Sequence, residues 1–257
     1  MNFYYDKKVI SDIDKAIPMY GMKEFESPCR STVPLLSWLK HEIPMLDSLL
    51  KELGMPEVCN LHLEYTVAPQ RGKGVASHTD LMVRQQGCAL AVEAKWTEPR
   101  YDTVSKWLMK GSNPQNRKDV LNGWLDLLQK HALRELLIED FSAAIYQMVH
   151  RAASACAAES KPKLAYLVFK PSPDPRAADT QTICADLAHL WSLLGSPQGF
   201  HFYVVELSLS PTAAFKPIKP KEIGKHGTAM QVRAALSGNN RLFSFEKYSV
   251  TRVGTKA

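Results

Sequence analysis

Three ionisable side chains, Asp80, Glu93 and Lys95, stand in the stretch HTDLMVRQQGCALAVEAKW (residues 78–96), which otherwise reads as a buried hairpin. Two carboxylates a strand apart can hold a hard divalent cation, and an ammonium beside them can offset charge on an anionic substrate. Whether they meet depends on register. Both arms alternate apolar with polar or small residues around Gln85-Gln86-Gly87, the pattern of two strands joined by a tight turn. A two-residue loop, Gln86-Gly87, pairs Gln85 with Cys88. Counting outward then sets Val83 opposite Leu90 and Asp80 opposite Glu93. Lys95 shares their face because strand side chains repeat every second residue.

Leu81, Val83, Leu90, Val92, Ala94 and Trp96 make the core face of this hairpin, and Asp80, Met82, Arg84, Ala91, Glu93 and Lys95 the charged one. Like charges directly opposite destabilise a sheet, so the acids call for a counter-charge. Mg²⁺ or Mn²⁺ would provide it, since Mg²⁺ takes one or two carboxylates together with water and phosphate oxygens. The opposing reading is a solvent-facing sheet side on which Lys95 screens both acids.

The elements that must position these residues follow from periodicity. Ser31 or Thr32 followed by Pro34 opens a helix carrying Leu35, Leu36, Trp38 and Leu39, Pro44 interrupts it, and a second amphipathic stretch over 45–53 stops at Gly54. NLHLEYTVAP reads as a strand with Leu61, Leu63, Tyr65 and Val67 on one face. The hairpin comes next, then a polar, tryptophan-bearing helical insertion over 99–136 and a helical stripe of Phe141, Ile145, Met148 and Ala152. KLAYLVFKP and GFHFYVVELSL follow as strands. No internal repeat or low-complexity tract is present. The order through residue 170 is helix, three strands, helix, strand.

An Asp on one strand and Glu-Ala-Lys on the next resemble the motif of the PD-(D/E)xK nuclease superfamily, of restriction-endonuclease-like fold, with Asp80, Glu93 and Lys95 as its three residues. The resemblance covers the core, about residues 34–170. Of three [DE]xK triplets (Asp6-Lys7-Lys8, Glu93-Ala94-Lys95 and Glu159-Ser160-Lys161), only the middle one lies in an apolar strand preceded by a strand with an Asp. Thr79 stands where the family's name has proline, at a position that varies in such proteins. ESPCRSTVPLL is similar to uncharacterised bacterial members.

The resemblance implies an α/β fold with an α-β-β-β-α-β core and a mixed central sheet flanked by helices. It also implies metal-dependent phosphodiester hydrolysis with DNA as the expected substrate. Asp80 and Glu93, with the Ala94 carbonyl, would hold Mg²⁺ or Mn²⁺, and Lys95 would orient the attacking water. Glu64, opposite in parity to Leu63 and Tyr65, is a candidate additional metal ligand. Gln147 is placed where many members carry a Gln that holds the active-site end. For each the competing reading is an ordinary, partly exposed residue. Arg71 and Lys73, in the glycine-flanked loop before the hairpin, are candidate phosphate contacts, with a solvated loop as the alternative. His78 is near enough to handle a proton, although a lone His beside a strand is more often structural. The main alternative is a protein of the same fold that binds nucleic acid or a protein partner without cutting; a coincidental match on an unrelated α/β protein is the other.

Composition agrees with one enzyme-sized domain: 257 residues, 45% hydrophobic, can bury a substantial core. Five scattered cysteines without a CxxC pair point to reduced thiols of a cytoplasmic protein, and away from a zinc knuckle or disulfide scaffold. MNFYYDKKVISDID has no apolar signal region, and no run reaches the ~18 apolar residues of a membrane span. The net charge of +6 is unevenly spread: residues 211–257 hold nine Lys or Arg against Glu222 and Glu246, a net +7, so the first 210 residues sum to −1. Such a basic C-terminal extension suits a polyanion or serves as a solvated segment that aids solubility. The sequence does not set the oligomeric state, although cutting both strands of a duplex commonly employs a homodimer.

Overall fold

The computed structural model describes residues 1–110, 112–218 and 220–254, the side chains of 220–223 apart. In chain order its elements are β1 (Asn2–Tyr5), β2 (Lys8–Ile10), α1 (Ile13–Ala16), α2 (Thr32–His41), α3 (Ile43–Glu52), β3 (Asn60–Val67), β4 (Ser77–Gln85) and β5 (Cys88–Lys95). They continue with α4 (Val104–Met109), α5 (Pro114–Gln129), α6 (Tyr146–Ala158), β6 (Lys161–Lys170), α7 (Thr180–Leu193), β7 (His201–Pro211), α8 (Pro220–Ser237) and β8 (Phe243–Arg252). One mixed sheet runs in the order β2-β1-β3-β4-β5-β6-β7-β8. The β3-β4-β5 meander is antiparallel, and β5, β6 and β7 are parallel.

The tight turn has Gln85 paired with Cys88, and Gly87 supplies its positive φ of 78°. The paired register runs through Val83↔Leu90 to Leu81↔Val92, one step short of Asp80 and Glu93; beyond it Asp80 accepts the Ala94 N–H. The charged face, however, is not open to solvent as the simple alternation suggests. Every residue of β5 is buried, as befits a central strand with a parallel neighbour and both faces covered. Leu90 and Val92 pack on one side with α2 and α3, and Ala89 and Ala91 on the other with α6. Ala152, Ala153 and Ala155 of α6 meet this alanine-lined surface, and small residues on both partners let the helix lie close to the strands. That closeness brings the first two turns of α6 over Glu93.

Several expectations need correction. Leu61 and Leu63 pack with α2 and α3, but Tyr65 and Val67 lie on the opposite side of the sheet. The change of side occurs at Glu64, whose φ of 52° breaks the alternation. The helix expected from Phe141 begins at Tyr146; Phe141 belongs to a preceding single 3₁₀ turn. The insertion over 99–136 is two helices, α4 and α5, the second ending at Gln129. β1, β2 and α7 went unread. The two N-terminal strands are only four and three residues long, and α7 buries Ile183, Leu187 and Leu190.

The basic region is folded structure rather than an appendage. β8 pairs with β7, burying Phe243 and Phe245. The Arg233 guanidinium donates to the carbonyls of Pro18 (3.0 Å) and Tyr20 (2.6 Å), and Arg241 pairs with Glu42 at 2.5 Å. These arginines are engaged in holding α8 and β8 to the body. Lys216 and Lys247 are exposed, and Lys219, Lys221 and Lys256 lie outside the described side chains.

Candidate active site

Glu93 is the centre of the site. Its Oε1 accepts from Lys95 Nζ (2.7 Å) and Gln147 Nε2 (2.8 Å), and its Oε2 accepts from Arg151 Nε. Gln147 and Arg151 are four residues apart on α6, so they project from one helix face. Arg151 also donates to Ser77 Oγ at 2.6 Å, and Ser77 Oγ meets His150 Nδ1 at 2.9 Å. Lys95 lies 4.4 Å from the centroid of the half-exposed Tyr101 ring. Asp80, on the adjoining strand, accepts the Ala94 N–H at 2.7 Å through Oδ2. Asp80, Glu93, Lys95, Gln147 and Arg151 line one cleft of about 400 Å³. Its far wall is held by Glu98, which accepts from Ser31 N and Oγ at the start of α2 and from Trp96 and Thr97 N–H groups.

The charges in this cluster do not balance evenly. Burial alone would raise the Glu93 carboxyl, but the Arg151 and Lys95 charges overcome it and bring the pKa down to about 2. Asp80 goes the other way: burial, then the Glu93 charge, push it well above the usual carboxylate range. Glu64 is pushed up to about 7 by burial, then by Glu24, with Glu93 adding and Arg151 opposing. Burial disfavours charge on Lys95, yet Glu93 outweighs it and holds the ammonium firmly protonated. The two cations are thus committed to Glu93, and Asp80 and Glu64 are left short of positive charge.

The two carboxylates keep oxygen positions of the chemistry a hard divalent ion takes. An ionised carboxylate offers about four lone-pair positions, and Glu93 uses three of them on Lys95, Gln147 and Arg151. Asp80 commits Oδ2 to Ala94, which leaves Oδ1 for the cleft. Two carboxylates with water and substrate oxygens suffice for Mg²⁺. Among the described residues no group of three or more His, Cys, Asp or Glu side chains is placed to hold a metal ion, so a site here depends on the Asp80–Glu93 pair. The contact made by Ala94 is through its N–H.

The remaining candidates divide. Glu64 reaches the cluster electrostatically and lies 3.9 Å from His78 Nδ1, which is half exposed. Its titration carries an expectation. A carboxyl raised in the folded state makes apo stability fall as pH rises from its unfolded value through about 7. Glu64→Gln should remove that slope and gain on the order of 1 kcal/mol over wild type at pH 8 relative to pH 5, as read by urea melts at the two pH values. Arg71 lies away from the cleft. It is paired with Asp126 of α5 at 2.6 Å, where the loop is pressed against Gly123. Lys73 lines a different chamber, beyond Ser77 and His150.

Sequence reasoning missed Arg151, Tyr101, Glu98 and the Ser77–His150 pair. Arg151 had a signal: it follows Gln147 by one helical turn and interrupts an alanine-rich stripe. The others come together only through loop geometry.

All five described free cysteines are unpaired, and no helix among the described residues is long and apolar enough to cross a membrane. No curated protein and no solved structure matches the chain. A family model described as Domain of unknown function (DUF6946) matches residues 9–203, which include every residue of the Glu93 cluster and stop short of α8 and β8; the chain belongs to that family.

Proposed function

We propose that this protein is a metal-dependent nuclease with a restriction-endonuclease-like core, acting on DNA in the cytoplasm. The observation that carries the reading is the convergence of Asp80, Glu93 and Lys95 on one cleft, with Gln147 anchoring Glu93 from α6. The order α3-β3-β4-β5-α6-β6, with α4 and α5 inserted between β5 and α6 and with β5 parallel to β6, supports it as the α-β-β-β-α-β arrangement.

A divalent ion such as Mg²⁺ or Mn²⁺ bound at Asp80 and Glu93 would supply Lewis acidity toward a phosphate oxygen and a more acidic water. The chain's own groups do the rest. Gln147 and Arg151 fix the Glu93 carboxylate in one orientation. Lys95 Nζ, protonated and confined by Tyr101, stands beside the acids where negative charge accumulates during in-line displacement, and a fixed ammonium there stabilises the transition state. Tyr101 and Pro99 also line the cleft.

A non-cutting protein of the same fold is the second reading, favoured by one observation: Lys95, Gln147 and Arg151 already saturate most of Glu93. A cleavage panel of single- and double-stranded DNA and RNA, with Mg²⁺ and with Mn²⁺, separates the two. The nuclease reading expects metal-dependent cleavage in at least one arm, falling about 100-fold or more in Lys95→Ala. No cleavage in any arm would transfer support to the binder.

A further inference from the structure

Beyond the acidic cleft a groove continues along the start of α6. Tyr101, Gln147 and Arg151 line both the cleft and a second chamber. Ser77, Trp107, Tyr146 and His150 in turn line both the second chamber and a third, of about 340 Å³, a volume within the range of small-ligand sites. The character of the lining changes along the way. The cleft carries Asp80 and Glu93 together with Lys95 and Arg151, whereas among the described residues the third chamber carries Lys73 and Arg117 and no acid; neither cation is in an ion pair, and Arg117 Nη1 donates to the Trp107 carbonyl. Its wall is aromatic: Trp107 and Tyr146 stack at 3.8 Å and 11°, and the Arg117 guanidinium sits 4.6 Å from the Trp107 centroid. Trp124, buried, is fixed by donating Nε1 to Tyr146 Oη at 3.1 Å. Ser77 engages Nδ1 of His150, which leaves Nε2 as that ring's remaining hydrogen-bonding position.

We propose that the third chamber is a nucleotide subsite, taking one unpaired base on the Tyr146 side of the stack, whose Trp107 ring is already covered by Tyr146 and Arg117, and its phosphate on Lys73, with Arg117 adding positive charge beside it. It rests on the nuclease or binder reading of the cleft and adds strandedness to it: the nucleic acid this groove recognises is single-stranded. Aromatic surfaces beside a cationic track are how single strands are bound without sequence preference. A recess lined by Trp124 and Val120 would admit a base only after it has left a duplex. The groove's polarity fits one strand, with a phosphodiester at the acidic end and the flanking nucleotide at the basic end.

The test is binding of the full chain, in EDTA, to a fluorescein-labelled single-stranded DNA of about 12 nucleotides and to the matching duplex. Fluorescence anisotropy is read over a salt series. Lys73→Glu is the main variant because its side chain is exposed, Arg117→Gln the second, and Lys8→Glu on the distant edge strand β2 the control. The subsite requires single-strand binding tighter than duplex binding. It requires at least about a tenfold loss in Lys73→Glu, a log-log salt slope flatter by about one, a loss in Arg117→Gln and none in the control. Duplex preference, or wild-type binding in either groove variant, overturns it. Because no metal is present, the outcome is independent of cleavage. Unchanged binding with intact cleavage would discard the subsite and keep the nuclease, whereas lost binding without cleavage in any panel arm would keep the subsite on a non-cutting protein.

Discussion

Arg151→Met should destabilise the protein by about 3–5 kcal/mol at neutral pH, the loss expected when one partner of a buried ion pair is removed and the other stays. Glu93 is almost wholly buried, with Arg151 Nε on Oε2. The same guanidinium holds Ser77 Oγ at 2.6 Å, so the substitution opens two polar gaps at once. Lys95 would then be the one cation among the described residues hydrogen-bonded to Glu93, beside the neutral Gln147 amide, with Asp80 and Glu64 still crowding it. Arg151→Lys should recover only part of the loss, since one ammonium does not reproduce a fork that spans Glu93 and Ser77.

The pH dependence identifies the cause. Glu93 falls from its ordinary 4.5 to about 2 in the folded chain, with burial opposing and Arg151 and Lys95 prevailing. A depressed carboxyl contributes stability that is present above the unfolded value and lost as pH falls toward the folded one. The gap between wild type and Arg151→Met should therefore be widest at pH 6–8 and narrow between about pH 4.5 and pH 2. Chemical denaturation at pH 7 and pH 3 measures both ends. A gap of the same size at both would mean that the loss comes from packing around the arginine stem and not from the charge pair.

The legible parts of this fold were those in which local pattern and tertiary environment agree. The hairpin register could be counted because Gly87 permits only a short turn and because apolar alternation in β4 and β5 matches the core face. The αβββαβ order was readable for the same reason. What escaped was set by the environment on the second face. Ala89, Ala91 and the alanines of α6 look neutral in a sequence, yet their smallness draws the helix onto the sheet and buries the charged face. Parity failed at Glu64 because one residue with positive φ turns the strand over, a feature that a glutamate does not announce. The basic C-terminal charge was visible as a count but not as a disposition, since Arg233 and Arg241 are consumed by carbonyls of the N-terminal segment and by Glu42.

Asp80→Asn should abolish metal-dependent cleavage, by about three orders of magnitude or more, equivalent to roughly 4 kcal/mol of lost transition-state stabilisation, while leaving the apo fold intact. Asn keeps the shape and still accepts the Ala94 N–H, so the β4–β5 contact survives. It removes a charge that the apo protein tolerates poorly: burial, then Glu93, hold Asp80 well above the usual carboxylate range. For an acid raised in the folded state, apo stability falls as pH rises through that range. The variant should accordingly be more stable than wild type at neutral pH without metal, by a few tenths to about 1 kcal/mol from relief of the cross-strand repulsion. On the proposed nuclease reading, metal should reverse the order. An ion that binds only the folded state stabilises wild type by about 2.7 kcal/mol at a hundredfold excess over its Kd, and the variant, with one ligand charge missing, should gain much less. A carboxylate whose role is to brace Lys95 and Arg151 predicts the opposite: a less stable apo variant and no difference in response to Mn²⁺. Melting temperatures of both proteins in EDTA and in Mn²⁺ therefore decide between a metal ligand and a structural acid, and equal Mn²⁺-induced shifts would remove Asp80 from the ligand set and with it the main support for the nuclease.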